Sequence, residues 1–191
     1  MKQNHFNAKK ATRLDSEERI RELRPIQLFR DVVGITQGMT CVDLGCGTGT
    51  FSFLMALCVG NEGIVYAVDD NAEMLRHLLA RRPPPNLRLI HCDAGRTGLY
   101  DQIADLCLLA LILHEVEQPD ILVGEAFRLL KPQGKVLVVE WQADLDSPGP
   151  PRKRRLSKEY IERLLKNIGL YHFEYLDWSR NYYLAMGSKK G

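Results

Sequence analysis

Residues 42–50 read Val-Asp-Leu-Gly-Cys-Gly-Thr-Gly-Thr, and this stretch decides the fold. A short apolar run carrying Asp43 leads into alternating glycines at positions 45, 47 and 49, and a second apolar segment follows from Phe51 to Val59. A strand, a glycine-rich turn and a helix in this order are typical of the nucleoside-binding half of a parallel α/β sheet. The spacing of the glycines then indicates which nucleoside.

Two common glycine patterns do not fit this turn. A dinucleotide-binding loop has the pattern G-x-G-x-x-G, which requires a glycine where this chain has Thr50. A phosphate-binding loop requires a lysine after its last glycine, and none follows Gly49. The remaining pattern, G-x-G-x-G, brings the backbone close to a ligand without cradling a diphosphate. A nicotinamide-dependent oxidoreductase is therefore disfavoured.

Residues 43–49 resemble the first motif of the class I S-adenosylmethionine (SAM) dependent methyltransferases, (D/E)-x-G-x-G-x-G, at all four fixed positions. Residues 128–137 resemble the R-x-L-K-P-G-G-x-(L/V) signature of the same family, with Gln133 in place of its first glycine, a change expected only to stiffen the turn. The resemblance covers roughly residues 35–187 and is to the small single-domain branch that includes ubiquinone- and menaquinone-biosynthesis-like methyltransferases. The resemblance implies SAM as cofactor and S-adenosylhomocysteine as product.

Each part of SAM has a candidate partner in the sequence. The glycine loop removes side chains that would block the amino-acid head group, and Asp43 can hold its ammonium. Asp69 ends the second apolar run, where an α/β site places the acid that binds a ribose diol. The resemblance adds an adenine site at the next strand end and backbone contacts to the methionyl group. The full set of predicted cofactor-binding residues is Asp43, Gly45, Cys46, Gly47, Thr48, Gly49, Asp69, Asp70, Asn71, Asp93, Ala94, Ala110 and Leu111.

Some of these residues have a second interpretation. Asp70 could be mistaken for the ribose acid, but with Asn71 it is better placed to cap the next helix. His114 is the predicted catalytic residue, because similar proteins carry a histidine near the transferable methyl and its usual pKa of ~6.5 suits a general base. The alternative for His114 is a helix cap or a pocket wall. No metal site is predicted.

The apolar pattern predicts the fold class. Continuous apolar runs at residues 40–44, 64–68, 87–91, 106–111 and 135–140 indicate buried parallel strands. Helical patterns lie between them, capped by Asn71 and Ser157 in two cases, and residues 173–178 and 182–186 form a terminal hairpin. We therefore expect an α/β Rossmann-like three-layer sandwich. Its seven-stranded, mostly parallel sheet would end in an antiparallel hairpin.

Two regions make up the predicted domain organisation: a helical leader at residues 1–34 and a single methyltransferase domain at residues 35–191. In the leader, Asp15 and Glu18 resemble a capping box and Pro25 can open a second helix. The leader either packs on the sheet edge or forms a lid over cofactor and substrate. Similar proteins carry comparable residues at its start, here His5, Phe6, Leu14, Asp15, Ser16 and Arg19.

Composition and charge indicate which broad classes of protein this sequence fits. The chain has 191 residues, of which 45% are hydrophobic, and a net charge of +2, which is too mild to indicate a nucleic-acid binder by itself. Its five cysteines form no C-x-x-C pair and are interpreted as reduced core residues. No signal peptide or membrane span is predicted. We expect a cytoplasmic protein, either a monomer or a homodimer.

The methyl acceptor is less well encoded. A small molecule is the leading prediction, and whether it accepts at O, N, S or C is open. RNA or protein methylation is the alternative, because Arg152, Lys153, Arg154 and Arg155 could attract phosphate, although such runs are usually solvated. A SAM-binding protein without turnover is a third hypothesis. Trp141, Tyr182 and Tyr183 could line an aromatic acceptor pocket or simply pack in the core.

Overall fold

The computed structural model describes residues 14–144 and 149–191. The predicted roles of His5 and Phe6 lie outside the described residues. The chain divides into two compact parts, with the boundary between Ala94 and Gly95. Each part is described by itself.

The N-terminal part is built on three parallel strands in the order β3-β2-β1. They are β1 (Thr40–Leu44), β2 (Ile64–Asp69) and β3 (Leu87–His91). Leu44 pairs with Val68 and Asp69 pairs with His91, so the carboxyl ends of the strands lie along one edge. Helix α3 (Thr50–Val59) follows β1, and α4 (Ala72–Ala80) follows β2. The predicted acids of this part therefore share one end of the sheet.

A helical leader precedes β1. Helix α1 (Glu17–Leu23) ends at Arg24, whose left-handed φ of 44° lets Pro25 open α2 (Pro25–Gln27) at once. A π-helical stretch, Leu28–Val33, continues α2. Pro25 opens the second helix as predicted, but the predicted capping box is wrong. The N-cap is Ser16, whose hydroxyl accepts from the Arg19 N–H at 3.4 Å, and the Asp15 carboxylate is directed elsewhere.

The C-terminal part contains four strands in the order β4-β5-β7-β6. They are β4 (Ala104–Ala110), β5 (Leu130–Trp141), β6 (Tyr171–Asp177) and β7 (Tyr182–Ser188), and β7 pairs antiparallel with both β5 and β6. The helices are α5 (Pro119–Leu129) and α6 (Lys158–Asn167), with a 3₁₀ turn at Arg152–Arg154. Seven strands in a mostly parallel sheet, flanked by helices and ending in an antiparallel pair, confirm the predicted fold class.

Strand β5 begins five residues earlier than predicted. Leu130 pairs with Ala104, and the ladder resumes at Leu106 with Lys135, so residues 131–134 bulge out of register. Gly134 fits there because a Cβ would lie 2.9 Å from the Ala104 carbonyl oxygen. The predicted turn therefore exists, but as an irregularity inside a long strand.

A buried ion pair fixes the loop before β4 to helix α5. Glu125 accepts hydrogen bonds from the Thr97 N–H at 2.9 Å and the Thr97 hydroxyl at 2.6 Å, and it pairs with Arg128 at 2.6 Å. Burial raises the pKa of Glu125, but the bonds from Arg128 and Thr97 outweigh it and leave the pKa below its usual value. Arg128 also donates to the Leu99 carbonyl at 2.8 Å and pairs with Asp101.

In the two described stretches, no helix combines the length and the apolar character needed to cross a bilayer.

Candidate functional site

The glycine loop adopts a backbone that only glycine accepts easily. Gly45, Gly47 and Gly49 have φ of 79°, 54° and 80°, and the N–H groups of Gly45 and Cys46 both donate to the Val68 carbonyl at 2.8 and 2.9 Å. The loop is thus tied to the end of β2. Gly49 is also the N-cap of α3, so the positive end of that helix lies at the loop.

Side chains of the protein occupy the space beside two of the glycines. A Cβ at Gly49 would lie 2.7 Å from Leu78 Cγ of α4, and one at Gly47 would lie 3.3 Å from Leu14 Cδ1 of the leader. Close packing is therefore a second reason for glycine here, which the sequence argument about ligand approach did not include.

Asp43 lies buried beneath the loop. The Ser52 hydroxyl, in the first turn of α3, donates to Asp43 Oδ2 at 2.5 Å. Burial raises the pKa of Asp43 to about 7, the Ser52 bond opposes this shift, and the charge of Asp69 adds to it. Asp43 can therefore change its ionisation when a cation arrives.

Asp69 is nearly buried, with 9% exposure, at the end of β2. Its two oxygens accept from the Gly47 N–H at 2.7 Å and the Asn71 N–H at 2.8 Å. Burial raises the pKa of Asp69, although these backbone bonds oppose the shift. Within residues 14–144 and 149–191, no lysine or arginine is paired with either Asp43 or Asp69. The arrangement suits a ligand that brings positive charge and hydroxyl donors.

The remaining predicted cofactor-binding residues of this part follow the ends of β2 and β3. Asn71 caps α4, because its Oδ1 accepts from the N–H groups of Glu73 and Met74, while Asp70 is exposed and its carbonyl contacts the His91 ring at 3.0 Å. Asp93 is exposed and Ala94 is half-buried. The Cys92 N–H donates to the Asp69 carbonyl at 3.2 Å, which brings the loop after β3 beside the ribose acid. Their contacts to a cofactor stay predictions.

Leu14 and Asp15, in the described part of the leader, lie against the glycine loop. Asp15 Oδ1 accepts from the hydroxyls of Thr48 at 2.8 Å and Thr50 at 2.5 Å. Arg81, the C-cap of α4, donates to the Thr48 carbonyl at 3.0 Å and lies 3.6 Å from the same Asp15 oxygen. We refer to Asp15, Thr48, Thr50 and Arg81 as the leader clamp.

The C-terminal part presents a strained turn after β4. Ala110 ends the strand, and Leu111 adopts a left-handed φ of 59° while its N–H still donates to the Val139 carbonyl at 2.8 Å. Three residues later, His114 Nδ1 lies 2.8 Å from Oε2 of Glu140 on β5. The catalytic role of His114 stays a prediction, and Glu140 is a partner that the sequence did not reveal.

Arg155, the last residue of the basic run, and the aromatic residues make structural contacts, whereas residues 152–154 are exposed. Arg155 is buried and donates to the carbonyls of Pro150 at 3.0 Å and Gln142 at 3.1 Å, so its inclusion in a solvated basic patch is wrong. Its guanidinium lies 5.7 Å from the Trp141 ring centroid. Tyr182 and Tyr183 are buried, and the Tyr183 hydroxyl donates to the Leu156 carbonyl at 2.8 Å, which favours core packing over an acceptor pocket.

With this geometry in place, comparison with known proteins assigns the family. Residues 35–182 match the family model described as a methyltransferase domain. The chain belongs to this family. The predicted resemblance to the SAM-dependent methyltransferases, and with it the predicted cofactor, is confirmed.

Among sequence relatives, this methyltransferase domain is 32% identical over 131 residues to the ubiquinone/menaquinone biosynthesis C-methyltransferase UbiE of Cellvibrio japonicus. The match covers 66% of this chain and 50% of the relative. The chain spans about half the length of the curated relatives it matches.

Among solved structures, a SAM dependent methyltransferase from Aquifex aeolicus superposes with a TM-score of 0.88 at 22% identity, over 96% of this chain and 98% of that one. The phosphoethanolamine N-methyltransferase 2 of Haemonchus contortus, solved with phosphomonomethylethanolamine and S-adenosylhomocysteine, gives a TM-score of 0.74 at 16% identity, over 88% and 52% of the chains. At these identities, the likeness establishes the fold.

Three site residues escaped the sequence analysis: Ser52, Glu140 and, in its observed role, Asp15. A weak signal existed for two of them. Ser52 is a polar residue inside the apolar run of α3, and Glu140 follows Val-Leu-Val-Val at the end of β5. Such polar residues in buried elements require partners, but the sequence does not name the partner.

Proposed function

We propose that this methyltransferase domain binds SAM and transfers its sulfonium methyl group to a small-molecule acceptor. The observation that carries the proposal is the pair of buried carboxylates, Asp43 and Asp69, which meet the glycine loop with no lysine or arginine paired to them in the described residues. A cationic nucleoside would supply the missing positive charge and the hydroxyl donors at once.

Each candidate residue has a role in this proposal. Asp43 would hold the ammonium of the head group beside the loop residues Gly45, Cys46, Gly47, Thr48 and Gly49. Asp69 would accept from the ribose hydroxyls, since each of its oxygens has one backbone donor and retains a free lone pair. Asp93 and Ala94 would contact the adenine, and the backbone of Ala110 and Leu111 would contact the methionyl group.

Asn71 and Asp70 would act indirectly. Asn71 starts α4 and donates its N–H to Asp69, so it would hold the ribose acid in place. The exposed Asp70 side chain would contribute little, which makes this residue a useful control.

Bound SAM would supply an electrophilic methyl on a positively charged sulfur. The protein's own task is then to align the acceptor in line with that methyl, exclude water and remove a proton where the acceptor carries one. The N-terminal leader would contribute to the exclusion of water. We infer that it is a lid, because the leader clamp joins it to Thr48 and Thr50 of the cofactor loop.

A small acceptor fits the features of this chain better than a nucleic acid. Of the four basic residues at positions 152–155, Arg155 is buried, and Arg152 donates to the Asp144 carbonyl at 2.9 Å. Two sequence relatives are named ubiquinone/menaquinone biosynthesis C-methyltransferases, and these names refer to small-molecule products.

Calorimetric titration tests the cofactor assignment. Wild-type protein should bind SAM and S-adenosylhomocysteine but not NADH. Asp69→Ala should weaken binding by about 1–3 kcal/mol, the loss expected for a charged hydrogen-bond acceptor. The matched control, Asp70→Ala, removes a neighbouring exposed carboxylate and should bind like wild type. Equal affinity of both variants would contradict the ribose assignment, and binding of NADH alone would contradict the proposal.

Turnover requires a separate measurement. Transfer of a radiolabelled methyl group from SAM into a panel of phenols, amines, thiols and thioethers would identify an acceptor class. Tight SAM binding without transfer to this panel or to total RNA or protein would instead support a SAM-binding protein without turnover.

A further inference from the structure

Glu140 is a fully buried acid near the carboxyl end of β5, with 0% side-chain exposure. Its oxygens lie 2.8 and 3.1 Å from His114 Nδ1, and they also accept from the N–H groups of His114 at 3.3 Å and Trp141 at 3.2 Å. An ionised carboxylate this deeply buried is costly unless hydrogen bonds and a charge partner compensate it. In the described residues, His114 is the basic side chain that does so.

The contact with Glu140 fixes which nitrogen of His114 is available. An N–H at Nδ1 donated to a carboxylate leaves Nε2 of the neutral ring with its lone pair. The His114 side chain has 5% exposure, and Nε2 lies 3.8 Å from Oε1 of Glu115, an exposed residue of the same turn. Tyr183 on β7 is a further titratable group beside this pair, opposite Glu140 in the strand register.

The backbone that presents His114 is strained. Leu111 has a φ of 59°, a conformation that a branched, bulky residue seldom adopts outside constrained sites. The Glu115 N–H then closes a turn onto the Ile112 carbonyl at 2.9 Å. This turn brings the His114 ring onto Glu140, 26 residues away in the chain.

We propose that Glu140 is a positioning residue that holds His114 as a general base, and that the acceptor is therefore a group that must lose a proton. Hydroxyls, protonated amines and acidic C–H groups belong to this class, whereas thioethers and tertiary amines do not. The inference deepens the proposed function and rests on it.

Methyl transfer is coupled to the transfer of the acceptor's proton. The acceptor's electron pair forms the new bond to the methyl carbon, the carbon–sulfur bond breaks with its pair left on sulfur, and the acceptor proton moves to Nε2 of His114. The positive charge on the imidazolium is then stabilised by the Glu140 carboxylate across the Nδ1 contact.

Nitrogen-15 NMR of the histidine rings tests the positioning without any acceptor. The protein has five histidines, and His114→Asn identifies the relevant signals by their disappearance. We expect neutral His114 to carry its proton on Nδ1, and Glu140→Gln to raise the fraction of the ring that is protonated on Nε2. Glu117→Gln, a nearby exposed acid, is the matched control and should leave the tautomer ratio unchanged. A proton on Nε2 in wild type, or an unchanged tautomer ratio in Glu140→Gln, would overturn the proposal.

Kinetics test the acceptor class. With the acceptor found in the methyl-transfer panel, Glu140→Gln should lower kcat about 100-fold. Its affinity for S-adenosylhomocysteine by calorimetry should stay within about twofold of wild type. Efficient transfer to a thioether, or a wild-type kcat in Glu140→Gln, would also overturn the proposal. Failure of wild type to bind SAM would instead contradict the proposed function. The NMR measurement does not depend on SAM binding.

Discussion

At the scale of single residues, Asp43 combines complete burial with a pKa raised to about 7 by that burial. A bound ammonium would favour the ionised carboxylate, so binding below pH 7 must release a proton. We therefore predict that the affinity for SAM falls as the pH decreases from 8 to 6. Calorimetry in buffers of different ionisation enthalpy would measure the proton release. A pH-independent affinity would contradict the role of Asp43.

Asp43→Asn is the control for this prediction, and its effect on the free energy of unfolding depends on pH. Because the folded pKa of Asp43 is raised, its contribution to stability is fully present below pH 4 and is lost as the pH rises through 7. The unliganded variant should match wild type at pH 4 and be more stable at pH 8 by roughly 1–3 kcal/mol, while losing SAM affinity.

Gln133 and Gly134 are adjacent residues that differ in backbone conformation and in the space available for a side chain. Gln133 has a left-handed φ of 66°, whereas Gly134 has no room for a Cβ beside the Ala104 and Lys131 carbonyl oxygens. Gln133→Gly should change the free energy of unfolding by less than about 0.5 kcal/mol, since relief of strain offsets added chain entropy. Gly134→Ala should destabilise by about 1–3 kcal/mol. Urea unfolding of both variants measures the difference, and a larger loss for Gln133→Gly would refute this account.

At the scale of elements, the leader clamp connects α1 to the glycine loop through a single carboxylate. Asp15→Ala removes both threonine contacts and the contacts of the carboxylate with Arg81 and His77, although Arg81 keeps its bond to the Thr48 carbonyl. We expect trypsin to cleave the leader at Arg19 or Arg21 several-fold faster, and S-adenosylhomocysteine to dissociate faster, because local opening of the leader becomes easier. Glu18→Ala, an exposed residue of the same helix, should match wild type. Equal cleavage rates in both variants would argue against the clamp.

The Glu125–Arg128 pair on helix α5 holds the loop before β4 in place. Arg128→Met would leave Glu125 buried without its cation, so we expect a loss of about 2–4 kcal/mol in the free energy of unfolding. The loss should shrink at acid pH, because the pKa of Glu125 is lowered in the folded state and its contribution disappears as the pH falls through that value. Arg96→Met, an exposed arginine, serves as the control in urea unfolding.

At the scale of the whole molecule, a ligand that binds only the folded state must raise the melting temperature. S-adenosylhomocysteine at 100 times its Kd should stabilise wild type by about 2.7 kcal/mol. For a chain of this length, that corresponds to roughly 5–10 °C in Tm. Differential scanning calorimetry should show a much smaller shift for Asp69→Ala at the same ligand concentration. An equal shift would place the ligand away from the glycine loop.

The sequence predicted the elements far better than their contacts. Continuous apolar runs, alternating with capped helices, located all seven strands, because burial on both faces leaves a pattern along the chain. The glycine loop and Asp69 were recognisable for the same reason, since a turn and a strand end restrict local residue choice. The pairing of His114 with Glu140 left no such trace, because it joins residues 26 positions apart through a strained turn at Leu111.

The leader illustrates the other limit of local reasoning. An acid followed three residues later by glutamate resembles a capping box, yet Ser16 caps α1 and Asp15 reaches Thr48, 33 residues away. Helix-cap patterns describe what a residue can do within one turn. A distant hydroxyl can compete for the same carboxylate, and only the folded chain decides between them.

The packing around Trp141 has an optical consequence. A Cβ at Gly149 would lie 2.9 Å from this indole. The Arg155 guanidinium lies 5.7 Å from the indole centroid, and the ring centroids of Trp141 and Tyr182 are 4.6 Å apart. The protein has two tryptophans, and the second, Trp178, is buried. Trp178→Phe would therefore leave Trp141 as the sole tryptophan, and its selectively excited emission would report, in real time and without a label, whether Gly149 and Arg155 stay packed against it.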